Sequence, residues 1–239
     1  MHSEYRQLMA ELEHRDDVRA VVVTGTPPAF CVGGDSKALE GHVERGGYDS
    51  GLAAAPATPG GGERLDADFV WQLGYRLPVI AAVNGACAGV GLALALWCDL
   101  RFVAADAKLT TAAAKLGLPA EYGMSWILPR LIGVTRANDL LLSSRVVTGA
   151  QTIDWGLWNG VEPDGVAALA AAQAYGRLLA STTGPNAVTN TKGQLTTDLL
   201  RLDPAASIAD SLRLLDQSMA TAEYAEGVRA LTEKRPPNF

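Results

Sequence analysis

An α/β fold is what this sequence predicts, and three observations predict it. Residues 18–25 are rich in β-branched side chains and end at Gly25, with Pro27 and Pro28 just beyond, the pattern of a buried strand entering a turn. Residues 79–84 repeat that pattern, and there Gly85, Gly89 and Gly91 lead into the apolar helix-forming run 92–97. Past residue 135 the pattern becomes mainly helical.

The elements follow in order. Tyr5, Leu8, Met9 and Leu12 stand at helical spacing near the start. The strand 18–25 follows, and residues 41–63, rich in Gly, Ala and Pro and without periodicity, are expected to form a mobile loop over a site. Residues 66–75 look helical, Leu77 and Pro78 precede the second strand, and another helix is expected over 125–131. Helices over 135–142, 149–157, 165–180, 186–202 and 207–220 complete the chain, and the alanine-rich run 166–174 suits close helix packing. No repeat at a solenoid period occurs.

Composition bounds the function. The chain has 239 residues, 48% of them hydrophobic and 19% charged, enough for one sizeable core. A net charge of −6 and a sequence pI of about 5.1 argue against a nucleic-acid partner. The apolar run 92–97 stops at Cys98 and Asp99, too short for a membrane span, and residues 1–15 are too charged for a signal peptide. Three cysteines, Cys31, Cys87 and Cys98, lack metal or redox spacing, which points to reduced thiols in the cytoplasm. The histidines His2, His14 and His42 are scattered and offer neither a metal site nor a base. Ser125 lacks the Gly-x-Ser-x-Gly setting of a nucleophile elbow.

Two glycine loops carry the chemistry. Ala29-Phe-Cys-Val-Gly-Gly-Asp35 and Val83-Asn-Gly-Ala-Cys-Ala-Gly-Val-Gly91 each follow a strand and bring bare backbone N–H groups to a loop. A helix opening near Val90 offers an unpaired N–H and the positive end of its dipole, and one donor from each loop would make an oxyanion hole. Each loop also has an ordinary explanation in turn chemistry.

These motifs resemble the crotonase superfamily of enoyl-CoA hydratases and isomerases. Residues 99–107, the segment Ser125-Trp-Ile-Leu-Pro-Arg-Leu-Ile-Gly133, and residues 226–235 match later signatures of that family, so the resemblance covers nearly the whole chain. It implies a spiral of ββα units over 1–134, without the hairpin that usually precedes the first helix, and a C-terminal helical trimerisation region over 135–239. It also implies an acyl-CoA substrate, no cofactor beyond that coenzyme A, and assembly as a homotrimer or dimer of trimers.

By the same resemblance the oxyanion donors are the N–H groups of Gly34 and Val90. Ala29, Cys31, Asp35, Lys37, Tyr122, Trp126 and Lys234 are candidates for substrate binding. Asp35 also suits an N-cap, Lys37 and Lys234 would approach the CoA phosphates, and Cys31 suits a small side chain better than a nucleophile. Asp99 is expected to be structural.

Typical family hydratases activate water with two glutamates, and those positions fall here on Ala93 and Ala113. The carboxylate left is Glu121, in Gly117-Leu-Pro-Ala-Glu-Tyr-Gly-Met-Ser-Trp126. In some isomerases and in the 4-chlorobenzoyl-CoA dehalogenase type, an acid from this loop reaches the acyl group. One carboxylate suffices to shuttle a proton. The expected chemistry is therefore double-bond isomerisation, with water addition, a hydrolytic dehalogenase and a non-catalytic acyl-CoA scaffold as alternatives. Glu121 also has a structural explanation, an acid favoured near a helix N-terminus.

Overall fold

The computed structural model describes residues 1–34 and 65–239; Asp35, Lys37, His42 and the loop expected over 41–63 lie outside the described residues. Helix α1 (His2–Glu13) leads into strands β1 (Val21–Thr24) and β2 (Ala29–Cys31). Strands β3 (Val79–Val83) and β4 (Ala86–Ala88) precede helix α2 (Val90–Trp97). Strands β5 (Leu100–Ala104) and β6 (Lys108–Thr110), helix α3 (Met124–Ser143), and strands β7 (Val147–Thr148) and β8 (Gly160–Glu162) follow. Helices α4 (Gly165–Thr182), α5 (Pro185–Leu199), α6 (Pro204–Met219) and α7 (Ala222–Glu233) end the chain.

The strands sort into two sheets. One runs β1-β3-β5-β8, all parallel, and the other β2-β4-β6-β7, parallel except for the antiparallel β6–β7 pair. Successive ββ pairs thus place one strand in each sheet, and every residue of β3 is buried. Helix α4 lies across the first sheet, where Ala168 and Ala172 are fully buried. A Cβ on Gly176 would stand 3.8 Å from Ile80 Cδ1, so the small residues of this helix bring it close to the sheet, where their composition suggested close packing against neighbouring helices.

Three elements differ from the sequence expectation. Residues 66–75 hold only a short 3₁₀ turn, Val70–Leu73, because Trp71 and Gln72 are drawn fully into the core. The segments expected at 125–131 and 135–142 form the two arms of α3, separated at Gly133 by a non-helical backbone (φ 75°, ψ 159°). Residues 149–157 form the 3₁₀ segment Ala150–Trp155. Several strands span three residues or fewer, too short to show an alternation.

Asp99 ties the helical region to the core, as expected of a structural residue. Its Oδ2 accepts from the Val79 amide (2.7 Å) and from Lys192 Nζ of α5 (2.7 Å), and Lys192 also donates to the Leu77 carbonyl (3.0 Å). The Lys192 side chain is 9% exposed, so removing its partner strands a buried charge. Asp99→Ala is therefore expected to lower the unfolding free energy by about 3 kcal/mol, read as a lower midpoint in urea denaturation.

Candidate active site

The two glycine loops meet past the ends of β2 and β4, just ahead of α2. Gly33 adopts φ 102° and Gly89 φ 52°, backbone conformations open to glycine at little cost. A Cβ on Gly33 would stand 3.7 Å from the Ala88 carbonyl, and one on Gly89 would stand 4.0 Å from Gly33 Cα. The loops therefore lie against each other. Gly34, exposed, continues the first of them.

Helix α2 opens at Val90, directly after the Gly89 amide donates to the Thr110 carbonyl (3.1 Å). The N–H groups of its first turn have no partner within the helix. The Val90 side chain packs against the core, so its bulk is turned toward apolar neighbours. Gly91 must be glycine for a different reason: a Cβ there would fall 2.2 Å from the Cys31 carbonyl oxygen and 2.6 Å from Cys31 Cβ. The helix N-terminus is thereby pressed onto β2.

Ala29 and Cys31 lie on β2, both half-buried, and Cys31 is the register partner of Cys87 on β4. All three thiols are free. Burial pushes the Cys87 thiol far up and the Cys98 thiol up to about 12, so these two are inert as nucleophiles. Ala93 and Ala113 are both buried, in α2 and in the 3₁₀ turn Ala113–Leu116.

Glu121 stands in the turn before α3, with its carbonyl accepting the Met124 amide (2.9 Å). Its carboxyl is half-buried, and desolvation alone raises its proton affinity above the ordinary carboxylate value. Tyr122 next to it is half-buried, with its ring 5.9 Å from Phe69, and Trp126 stacks on Trp97 at 5.7 Å. The Arg130 guanidinium lies 3.8 Å over the Trp126 ring.

Lys234 is the exposed left-handed C-cap of α7 (φ 53°), far along the chain from these loops. Sequence reasoning passed over Trp97, whose indole N–H donates to the Tyr122 carbonyl (2.8 Å) beside Glu121. At the end of an apolar helical run it looks like core, and nothing local marks a contact to residue 122. It also passed over Arg101, buried with its guanidinium donating to the carbonyls of Leu96 (3.2 Å), Cys98 (2.6 Å) and Leu157 (3.0 Å), which fastens the C-terminal end of α2.

Paired ββ units with α2 set on their glycine loops give a fold that matches solved structures of enoyl-CoA hydratases and isomerases. The family model described as Enoyl-CoA hydratase/isomerase matches residues 1–239, and the chain belongs to that family. The 1,2-epoxyphenylacetyl-CoA isomerase of Escherichia coli K12 is 33% identical over 245 residues, covering 100% of this chain and 87% of that protein. The mevalonyl-coenzyme A hydratase of Beauveria bassiana is 30% identical over 247 residues, covering 99% of this chain and 84% of that protein. The crystal structure of an enoyl-CoA hydratase from Polaromonas sp. JS666 superposes with a TM-score of 0.84 at 27% identity, covering 100% of this chain and 88% of that one. The protein is an acyl-CoA thioester enzyme of this family. No helix among its described residues is long and apolar enough to cross a membrane.

Proposed function

We propose that the protein isomerises the double bond of an enoyl-CoA through an enolate, with Glu121 as its acid/base. What supports this reading is the half-buried, desolvated carboxylate of Glu121, taken with buried alanines at Ala93 and Ala113, the positions that the resemblance matches to the glutamates of typical family hydratases. Water addition needs one group to activate water and another to deliver a proton. Isomerisation needs one group that takes a proton and gives it back.

In the proposed reaction the Glu121 carboxylate removes a proton from the γ-carbon, and the C–H electron pair forms a new double bond as the old one shifts toward the thioester. The negative charge collects on the thioester oxygen, held by the N–H groups of Gly34 and Val90. Collapse of the dienolate takes the proton back from Glu121 at the α-carbon. Ala29, Cys31, Tyr122 and Trp126 would line the acyl path, with Asp35 at the loop and Lys37 and Lys234 toward the CoA phosphates. No cofactor beyond the substrate's own coenzyme A enters. The free thiols suit a cytoplasmic setting.

The test is hydrogen exchange at the α- and γ-carbons of bound crotonyl-, hexenoyl- and decenoyl-CoA in heavy water, followed by NMR. Exchange at both carbons with migration of the double bond is the expected result. Rapid accumulation of 3-hydroxyacyl-CoA would return the protein to the hydratases, and tight binding without exchange would make it a scaffold.

We also propose that the chain assembles as a homotrimer through its C-terminal helices. Helix α6 has no buried residue, and Ile208, Leu212, Leu215 and Met219 form one exposed apolar stripe along it. Light scattering is expected to give the mass of a trimer or a dimer of trimers for the wild type and a smaller species for Leu212→Glu. A monomeric wild type would refute the assembly.

A further inference from the structure

We infer that Trp97 is a positioning residue for Glu121, joining the helix that carries the Val90 donor to the turn that carries the carboxylate. The inference rests on the reading of Glu121 as the acid/base. Helix α2 begins at Val90 and ends at Trp97, a straight span of about 10 Å at 1.5 Å per residue. Its far end is fixed by the buried Arg101 guanidinium on the Leu96 and Cys98 carbonyls. From that end the Trp97 side chain, 3% exposed, donates its indole N–H to the Tyr122 carbonyl at 2.8 Å.

The turn it holds would not be held by its own local structure. Tyr122 (φ 50°) and Gly123 (φ 70°) are successive left-handed residues, and for tyrosine that conformation is unfavourable without outside support. Trp97 supplies support on two sides. Its indole N–H fixes the Tyr122 peptide oxygen, and its ring occupies the space over Gly123, where a Cβ would stand 2.9 Å from Cζ2. The ring is in turn backed by Trp126, stacked at 5.7 Å and 14°, beneath the Arg130 guanidinium. The Tyr122 carbonyl belongs to the peptide that joins Tyr122 to Gly123, one residue on from Glu121, so this hydrogen bond fixes one side of the turn that carries the carboxylate. One helix thus sets both the oxyanion donor and the position of the base, and proton transfer depends steeply on that separation.

Trp97→Phe keeps an aromatic ring in the stack and removes the indole N–H. The expected result is a fall in kcat for α/γ exchange on the order of tenfold to a hundredfold, with KM for the enoyl-CoA changed by less than about twofold. If Trp97→Phe does not fold, 3-benzothienylalanine at position 97 keeps both rings of the indole and removes its N–H, and the same split between kcat and KM is expected. Wild-type kcat in either folded variant, beside an inactive Glu121→Gln, overturns the role of Trp97 and leaves the role of Glu121 standing. Equal losses in kcat and in enoyl-CoA affinity would make Trp97 a packing residue only and overturn the inference. Full exchange by Glu121→Gln would overturn the reading of Glu121 itself and the inference with it.

Discussion

Glu121→Gln is expected to lower the rate of α/γ exchange by a factor of about 10² to 10⁴, the usual contribution of a positioned acid/base, with little change in KM. The amide keeps the volume and polarity of the side chain and cannot accept the proton. Stability should not fall with activity. Desolvation raises the Glu121 carboxyl's proton affinity in the folded protein. The folded state then binds that proton more tightly than the unfolded chain. Its contribution to stability is fully present below the unfolded-state pKa and is lost as pH rises through the raised folded-state pKa. At neutral pH the ionised carboxylate is therefore a small cost, which glutamine removes. The melting temperature of Glu121→Gln at pH 7 is expected to equal or exceed that of the wild type. The same shift sets the pH profile: kcat/KM should fall as pH drops through a pKa above the ordinary glutamate value, because protonation removes the base. An acidic limb at or below the ordinary value, or an unchanged exchange rate in the variant, would count against the assignment.

Gly91→Ala is expected to be among the most damaging single methyls in the described core. The added Cβ would meet the Cys31 carbonyl oxygen at 2.2 Å, its carbonyl carbon at 2.8 Å and its Cβ at 2.6 Å. Two of these atoms are backbone of β2, so no rotamer change relieves the contact. Either α2 lifts from the strand or β2 leaves its pairing with β4. The expected loss is about 3 kcal/mol or more, at the upper end of overpacking effects, seen as a lower urea midpoint or loss of soluble protein. Surviving protein should bind and turn over substrate poorly, since lifting α2 moves the Val90 N–H away from Gly34. Gly193→Ala is the matched control. That glycine is exposed within α5 with nothing within 4 Å of a built Cβ, and alanine there should stabilise by roughly 0.5–1 kcal/mol through helix propensity alone. Equal behaviour of the two variants would contradict the close approach of α2 to β2.

Much of the site was legible because it is built from glycine and from backbone. The glycine loops show in the sequence since glycine adopts the positive φ of Gly33 and Gly89 at little cost, a local requirement, although the contact that requires glycine at Gly91 comes from Cys31, distant in the chain. The helix starting at Val90 was legible for the same reason, an apolar run placed directly after a turn. Candidates at Asp35 and Lys37 fall outside the described residues, and Lys234 stands on the C-terminal helix with no described link to the loops. The short strands β2, β4, β6 and β7 carried no pattern of their own, because two or three residues cannot display a period and their pairing comes from distant chain.

The sequence by itself determined the α/β class, the two glycine loops and the resemblance that led to an acyl-CoA enzyme. By that resemblance Ala93 and Ala113 match the hydratase glutamates, and Glu121 is the carboxylate of the neighbouring loop on which the proposed reaction rests. Tertiary structure alone decided that Val90 turns its side chain into the core, that Asp99 is held by Lys192 from 93 residues away, and that Trp97 grips the turn beside Glu121 from 25 residues away. The physical reason is range. Backbone conformation and helix or strand preference are set by near neighbours in sequence, whereas a hydrogen bond or a buried ion pair depends on which distant surfaces the folded core presses together.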